Sequence, residues 1–178
     1  MNYTKSSNVG IDTRINEVQN FIYPLIKTVW GLNDSTLNLF GRVYRNQTSD
    51  GYVPEAFDGI EYREVFIEDR AAATLFFGLG ETVKSAEGYD TAEPFIICMC
   101  DLTRIGKSTG RQDEEAKLDL EHIFKKYLNG FKVISTQTGF DTVFKDYTGW
   151  RKKNGLKYRD THPFYCFRIN FEVTYKIN

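Results

Sequence analysis

The 178-residue chain carries a formal net charge of −1, so no global field draws it onto nucleic acid or an anionic membrane. Its length suits one domain, residues 1–178, large enough to bury a core without disulfide or metal staples. Hydrophobic residues at 41 % and aromatics at 15 % argue against disorder and suit sheets and interfaces.

Residues 1–10 are polar and read as a flexible lead-in. No apolar stretch follows Met1, so a secretory signal is not expected; nor does any run reach the roughly 20 residues of a membrane helix. Asp12 is placed to cap a helix reaching Trp30, with Ile15, Val18, Ile22, Leu25, Ile26 and Val29 along one face. Pro24 falls inside that pattern and predicts a kink. Leu37 to Tyr44 reads as a strand, Arg45 to Asp50 as a turn-rich link, Tyr52-Val53-Pro54 as an extended piece and Tyr62 to Ile67 as a second strand. A third element starts at Thr74–Phe77, and Gly78 and Gly80 obscure its course.

Phe95 to Cys100 is an unbroken apolar run of strand length, expected to be buried on both faces. A polar loop, Thr103 to Gln112, leads to a helix over about 113–129. Its inner face is Ala116, Leu120, Ile123, Phe124 and Tyr127, its acidic start and basic end suit the helix dipole, and Gly130 is its expected left-handed stop. Phe131 to Thr136 reads as a strand, and residues 137–162 as an irregular arm. From Tyr165 to Ile177 apolar and mostly polar residues alternate strictly, predicting a strand with one face buried and one wet. Thirteen such residues span about 43 Å against a usual ~17–20 Å, so this strand is expected to outrun its sheet or to bulge. Strands cluster instead of alternating with helices. The expected fold is α+β, a largely antiparallel twisted sheet with both helices on one face.

The chemistry-bearing motifs are weak. Ile105-Gly106-Lys107-Ser108-Thr109 follows a strand as a phosphate loop does, but the position that needs its first glycine is Asp101, so a solvated loop is the better reading. Gly78-Leu79-Gly80 reads as a turn or bulge. Cys98, Cys100 and Cys166 lie in predicted strands and read as reduced core residues. With only His122 and His162 to complete a metal or nucleophile set, neither is expected, and no cofactor is implied. Carboxylates such as Glu61, Glu64, Glu68 and Asp69 alternate with Arg63 and Arg70, as on a solvated strand face; a two-carboxylate hydrolase stays open on spacing alone. Trp150-Arg151-Lys152-Lys153, continuing to Lys157, Tyr158 and Arg159, mixes aromatics with cations. That composition fits an exposed loop, a protein interface or, as the alternative function, a nucleic-acid-binding segment over 150–159.

The stretches RVYRNQ (42–47), GYVPEAFDG (51–59), EYREVFIED (61–69) and ATLFF (73–77) resemble the middle of small virion proteins of phages of Bacteroidetes hosts, including crAss-like phages. The order of elements is similar to the tail-terminator and tail-completion fold of head–tail connectors. The resemblance implies a non-enzymatic structural subunit of the phage neck or tail. It would assemble with itself in a ring, contact neighbouring neck and tail proteins, and surround a channel through which DNA passes without sequence-specific binding. The implied location is the virion, after assembly in the host cytoplasm, with no membrane partner. Heterologous ring contacts need two different complementary surfaces on one subunit. The expected interface residues are Tyr52, Pro54 and Phe57 in the extended segment, Arg104, Lys107 and Arg111 in the polar loop, and Trp150, Arg151, Lys152, Lys153 and Tyr158 in the arm. Either end of the last strand is a further candidate for such contacts.

Overall fold

A computed structural model describes residues 1–5, 7–65, 70–106, 110–126, 130–158 and 162–176, with backbone alone at 82 and 155–158. In chain order the elements are β1 (Asn2–Tyr3), α1 (Ile11–Trp30), β2 (Leu37–Arg42), β3 (Tyr44–Thr48), β4 (Gly51–Phe57), β5 (Tyr62–Glu64), β6 (Ala73–Ala86), β7 (Tyr89–Asp101), α2 (Gln112–Lys126), β8 (Phe131–Thr138), α3 (Phe140–Val143), α4 (Thr148–Tyr158) and β9 (Phe164–Lys176). The fold is α+β. Six strands form one sheet in the order β1-β2-β6-β7-β9-β8, and β3-β4-β5 form a second. The pairs β1–β2 and β2–β6 are parallel and the other pairs of the main sheet antiparallel.

One face of the main sheet is covered by α1 and α2, as their amphipathic spacing demands. Ile15, Val18, Ile22, Ile26 and Trp30 of α1 meet Ala116, Leu120, Ile123 and Phe124 of α2 over Leu39, Leu75, Phe77, Ile96, Phe167, Ile169 and Phe171. Trp30 buries its ring there and its Nε1 donates to Asp119 Oδ2 at 3.0 Å, joining the helices. Val29, expected inward, is exposed, and Tyr23 and Gln19 are buried in addition. Tyr127 lies outside the described residues. Gly130 has the expected positive φ, +87°. The N-cap of α1 is Gly10, not Asp12. Asp12 sits in the first turn, where its carboxylate receives Arg42 Nε at 2.5 Å and Nη2 at 2.9 Å. The helix runs through Pro24 to its left-handed stop at Gly31.

The opposite face is not wet. A second core joins Phe40, Phe76, Phe95, Ile97, Met99 and Cys166 of the sheet to Val53, Ala56 and Val65 and to Phe140, Val143, Phe144, Tyr147 and Trp150. The segment expected to be irregular, 137–162, supplies that cover through α3 and α4. The expected link Arg45–Asp50 is instead mostly β3, paired with β4 across a short turn. The expectation of a bare sheet face fails because these short elements carry no helical or strand periodicity of their own. They are recruited by aromatic contacts: Trp150 stacks on Phe144 at 4.4 Å and donates from Nε1 to Val65 O at 2.9 Å. Hence Cys166 and Arg168, on the supposed wet side of β9, are buried.

The long hairpin whose β7 strand neighbours β9 also differs from expectation. β6 and β7 form one hairpin that continues through Gly78 and Gly80, with a register shift between Leu79 and Val83. β9 therefore does not outrun its sheet: β7 pairs with it from Phe164 to Lys176. The bulge falls on β8, between Val133 and Ser135. Phe95 to Cys100 is buried throughout, as its unbroken apolar run predicts.

Candidate functional site

The sheet forks where β2 departs. Register shifts between Phe40 and Arg42, leaving Gly41 as the extra residue. A Cβ there would stand 3.3 Å from Oε1 of Gln19. The buried Gln19 amide is the local anchor, its Nε2 lying 2.8–3.1 Å from Asn2 Oδ1, Tyr3 O and Leu39 O. Past the fork the chain turns into β3, and Val43 N donates to Phe77 O at 2.8 Å as a last contact with β6. Among the described residues no strand pairs with β6 beyond Phe77 on that side.

Between the diverging strands lies a cleft of about 570 Å³ lined by Arg45, Glu81, Glu93, Gln137, Lys145 and Arg168 among others. Arg168 forms its floor. Its guanidinium, only 5 % exposed, lies 3.5 Å from the centroid of the Phe95 ring, donates to Asp146 Oδ2 at 2.5 Å and reaches Asn170 Oδ1 at 2.9 Å. A buried arginine needs this paired, stacked setting, since an unpaired charge there is costly. At the rim Arg45 lies over Tyr52, 3.9 Å from the ring centroid, and binds Glu81 at 3.0 Å. Burial beside Asp146 raises the Tyr147 hydroxyl well above its ordinary pKa, so it stays protonated at neutral pH. The cleft thus combines two ion pairs, Arg45–Glu81 and Arg168–Asp146, with the further charges Glu93 and Lys145.

Beyond the cleft the β6–β7 hairpin projects as an arm. From Val83 to Tyr89 every residue is exposed, so neither face rests on the core. Its turn is two residues, with Glu87 at φ +49° and Gly88 at φ +84° between paired Ala86 and Tyr89. The end of β9 adds a third strand, with Thr91 and Thr174 hydroxyls 3.0 Å apart.

The residues expected at an interface are dispersed. Tyr52 and Phe57 are half-buried on β4, and Pro54 is buried. Arg104 is used within the chain, donating to Ala71 O and Arg70 O. Lys107 lies outside the described residues, as does the side chain of Tyr158. Arg111 is exposed and paired with Asp113 at 2.7 Å; that ion pair holds the Asp113 carboxyl down at about 2. Trp150 is corrected from a surface anchor to a core residue. Its neighbours form a helical turn in which Arg151 faces Asp141 at 3.5 Å and Lys153 binds Glu64 at 2.9 Å, leaving Lys152 pointing outward and exposed. Both the arm and the open strand edges escape a reading of the sequence. The available signal was the exposed alternation around Val83, interrupted by glycines on one side and a charged turn on the other.

Cys98, Cys100 and Cys166 are buried and outside any disulfide, and burial pushes Cys98 well above the ordinary thiol range. Among the described residues no three His, Cys, Asp or Glu side chains converge as a metal site. Comparison with protein-family models and with curated proteins found no significant match.

Proposed function

We propose that this chain is a structural subunit of a phage neck or tail, of the head–tail connector or tail-terminator kind. It acts by assembling with itself into a ring that joins capsid to tail around the DNA channel, and it contacts neighbouring neck and tail proteins. The observation that supports this reading is the projecting arm. A hairpin buried on neither face gains little from its own core. Its exposed Val83 and Tyr89 are suited to burial against another molecule. The likeness of Arg42–Phe77 to virion proteins supplies the setting, and the resemblance in order of elements supplies the tail-terminator comparison.

Two measurements test the reading. Mass spectrometry of purified virions is expected to find the chain in stoichiometric amount. Light scattering is expected to find a closed oligomer, formed alone or on addition of a neck protein. A chain missing from virions and monomeric in every mixture would sink the proposal.

A further inference from the structure

The main sheet ends in two different open edges. At one side β8 is the last strand; at the other, once β2 has left, the distal part of β6 is. Each open edge has a regular stretch of four residues, Ser135–Thr138 on β8 and Val83–Ala86 on β6. We infer that these edges bind one another between copies of this chain, the β6 arm of one subunit lying along β8 of the next so that the sheet continues from subunit to subunit. This rests on the ring reading and adds which surfaces close the ring.

Direction, chemistry and geometry agree. Counting across the antiparallel pairs β6–β7–β9–β8, β6 and β8 run oppositely, so a neighbour placed by rotation about a ring axis presents β8 antiparallel to the arm. The pairing is heterologous, as a ring requires. The arm from Glu81 to Asp90 carries Glu81, Glu87 and Asp90 against Lys84, a net charge of −2. The strand β8 carries Lys132 and no carboxylate, and exposed Lys145 stands at the cleft beside it. Lys132 is 77 % exposed and only loosely held by Glu172 at 3.7 Å. The apolar residues also match: Val83 and Tyr89 are 42 % and 51 % exposed on the arm, and Ile134 is 51 % exposed at the β8 bulge.

The offset between the edges is informative too. Along β7, the regular edge of the arm lies level with Tyr89–Ala92 and that of β8 with Phe95–Cys98, six residues apart. At ~3.3 Å per residue this is a stagger of about 20 Å, across four strands about 19 Å wide at ~4.8 Å spacing. A sheet repeated with that stagger has strands tilted by about 45°, close to the 35–45° at which sheets close into barrels. The geometry that would shear a flat sheet apart is the one that lets a ring close.

Heterotypic cross-linking tests the inference. Chains carrying Val83→Cys are mixed with chains carrying Thr138→Cys, the residue that faces Val83 when the two stretches pair antiparallel, and oxidised mildly; the native thiols are buried and serve as internal controls. Covalent dimers are expected in the mixture, and neither variant alone should form them. Separately, Val83→Lys and Ile134→Lys should each lower self-association about tenfold or more while leaving the thermal midpoint unchanged, since both sites are exposed. Wild-type rings with no heterotypic cross-link, and intact rings in both lysine variants, would overturn the edge contact and leave the ring reading standing. Cross-links between Val83→Cys chains alone would mean a two-fold arm contact and would overturn it as well. Loss of a virion neighbour in place of self-association would reassign the arm to that neighbour. A wild-type chain monomeric in all conditions would remove both readings together.

Discussion

The two faces of the six-stranded sheet are built in different ways. One is a layer of mixed aliphatic and aromatic side chains under two long helices, in which α1 and α2 present residues at helical spacing. The other is an aromatic layer, with Phe40, Phe76, Phe95, Phe140, Phe144, Tyr147 and Trp150 gathered from short elements, and it borders the cleft and its buried arginine. The first face is specified by period, the second by a few large side chains and polar anchors. The difference has an energetic consequence: loss of one anchor on the aromatic side should cost more than loss of one aliphatic residue on the helical side.

Trp150→Ala gives the largest expected effect. It removes a fully buried ring and the bond to Val65 O, with an expected loss of about 3–5 kcal/mol in denaturant unfolding. Ile26→Ala, on the other face, should lie nearer the lower end of the ~2–5 kcal/mol range for buried aliphatics. Equal losses, or a smaller one for Trp150, would break the comparison. Next comes Asp146→Ala, which strands the Arg168 guanidinium. Asp146 is itself 32 % exposed, so the expected loss is about 2 kcal/mol and not the full cost of a buried pair. The double variant Asp146→Ala with Arg168→Met should recover part of that loss; failure to do so would mean the pair is not the anchor. Gly78→Ala should cost about 1–3 kcal/mol by overpacking, because a Cβ there would come within 2.1 Å of the Phe95 ring, which is held by Arg168. The smallest effect lies on the helical side, at Asp113. Its carboxyl is held down at about 2 by Arg111, so its contribution is complete above the unfolded carboxylate pKa of about 4 and is lost as pH falls through about 2. The pair is exposed, so Asp113→Asn should cost under about 0.5 kcal/mol at pH 7 and only a small remainder of that at pH 2, measured as the difference between the two unfolding curves.

The same contrast explains what a reading of residues recovers. The helices α1 and α2, the buried run in β7 and the alternation in β9 are visible because each repeats a period over many residues. The α4 helix is hidden by Gly149 and Gly155 in a polar stretch of low helical preference. Gly149 has a packing reason that no local pattern carries: a Cβ would meet the backbone of Gly51 at 2.9 Å. Gly78 likewise reads as a breaker and is in fact the space into which Phe95 folds. The β6–β7 turn is obscure because Glu87, not Asn or Gly, takes its first left-handed position. Of the expected interface residues, Trp150 misled most: tryptophan beside cations has the composition of an anchor, and only the fold reveals that its ring points inward.

Each strand at the centre of the sheet serves two masters. Along β9, Phe167, Ile169, Phe171 and Val173 enter the helix-covered layer, and Cys166 and Arg168 enter the opposite side. Slipping the strand by one residue would drive the Arg168 charge among isoleucines and strip it of Asp146 and Phe95 at once. Register errors during folding are therefore rejected twice, by shape on one side and by charge on the other. A misthreaded chain has no quiet place to rest.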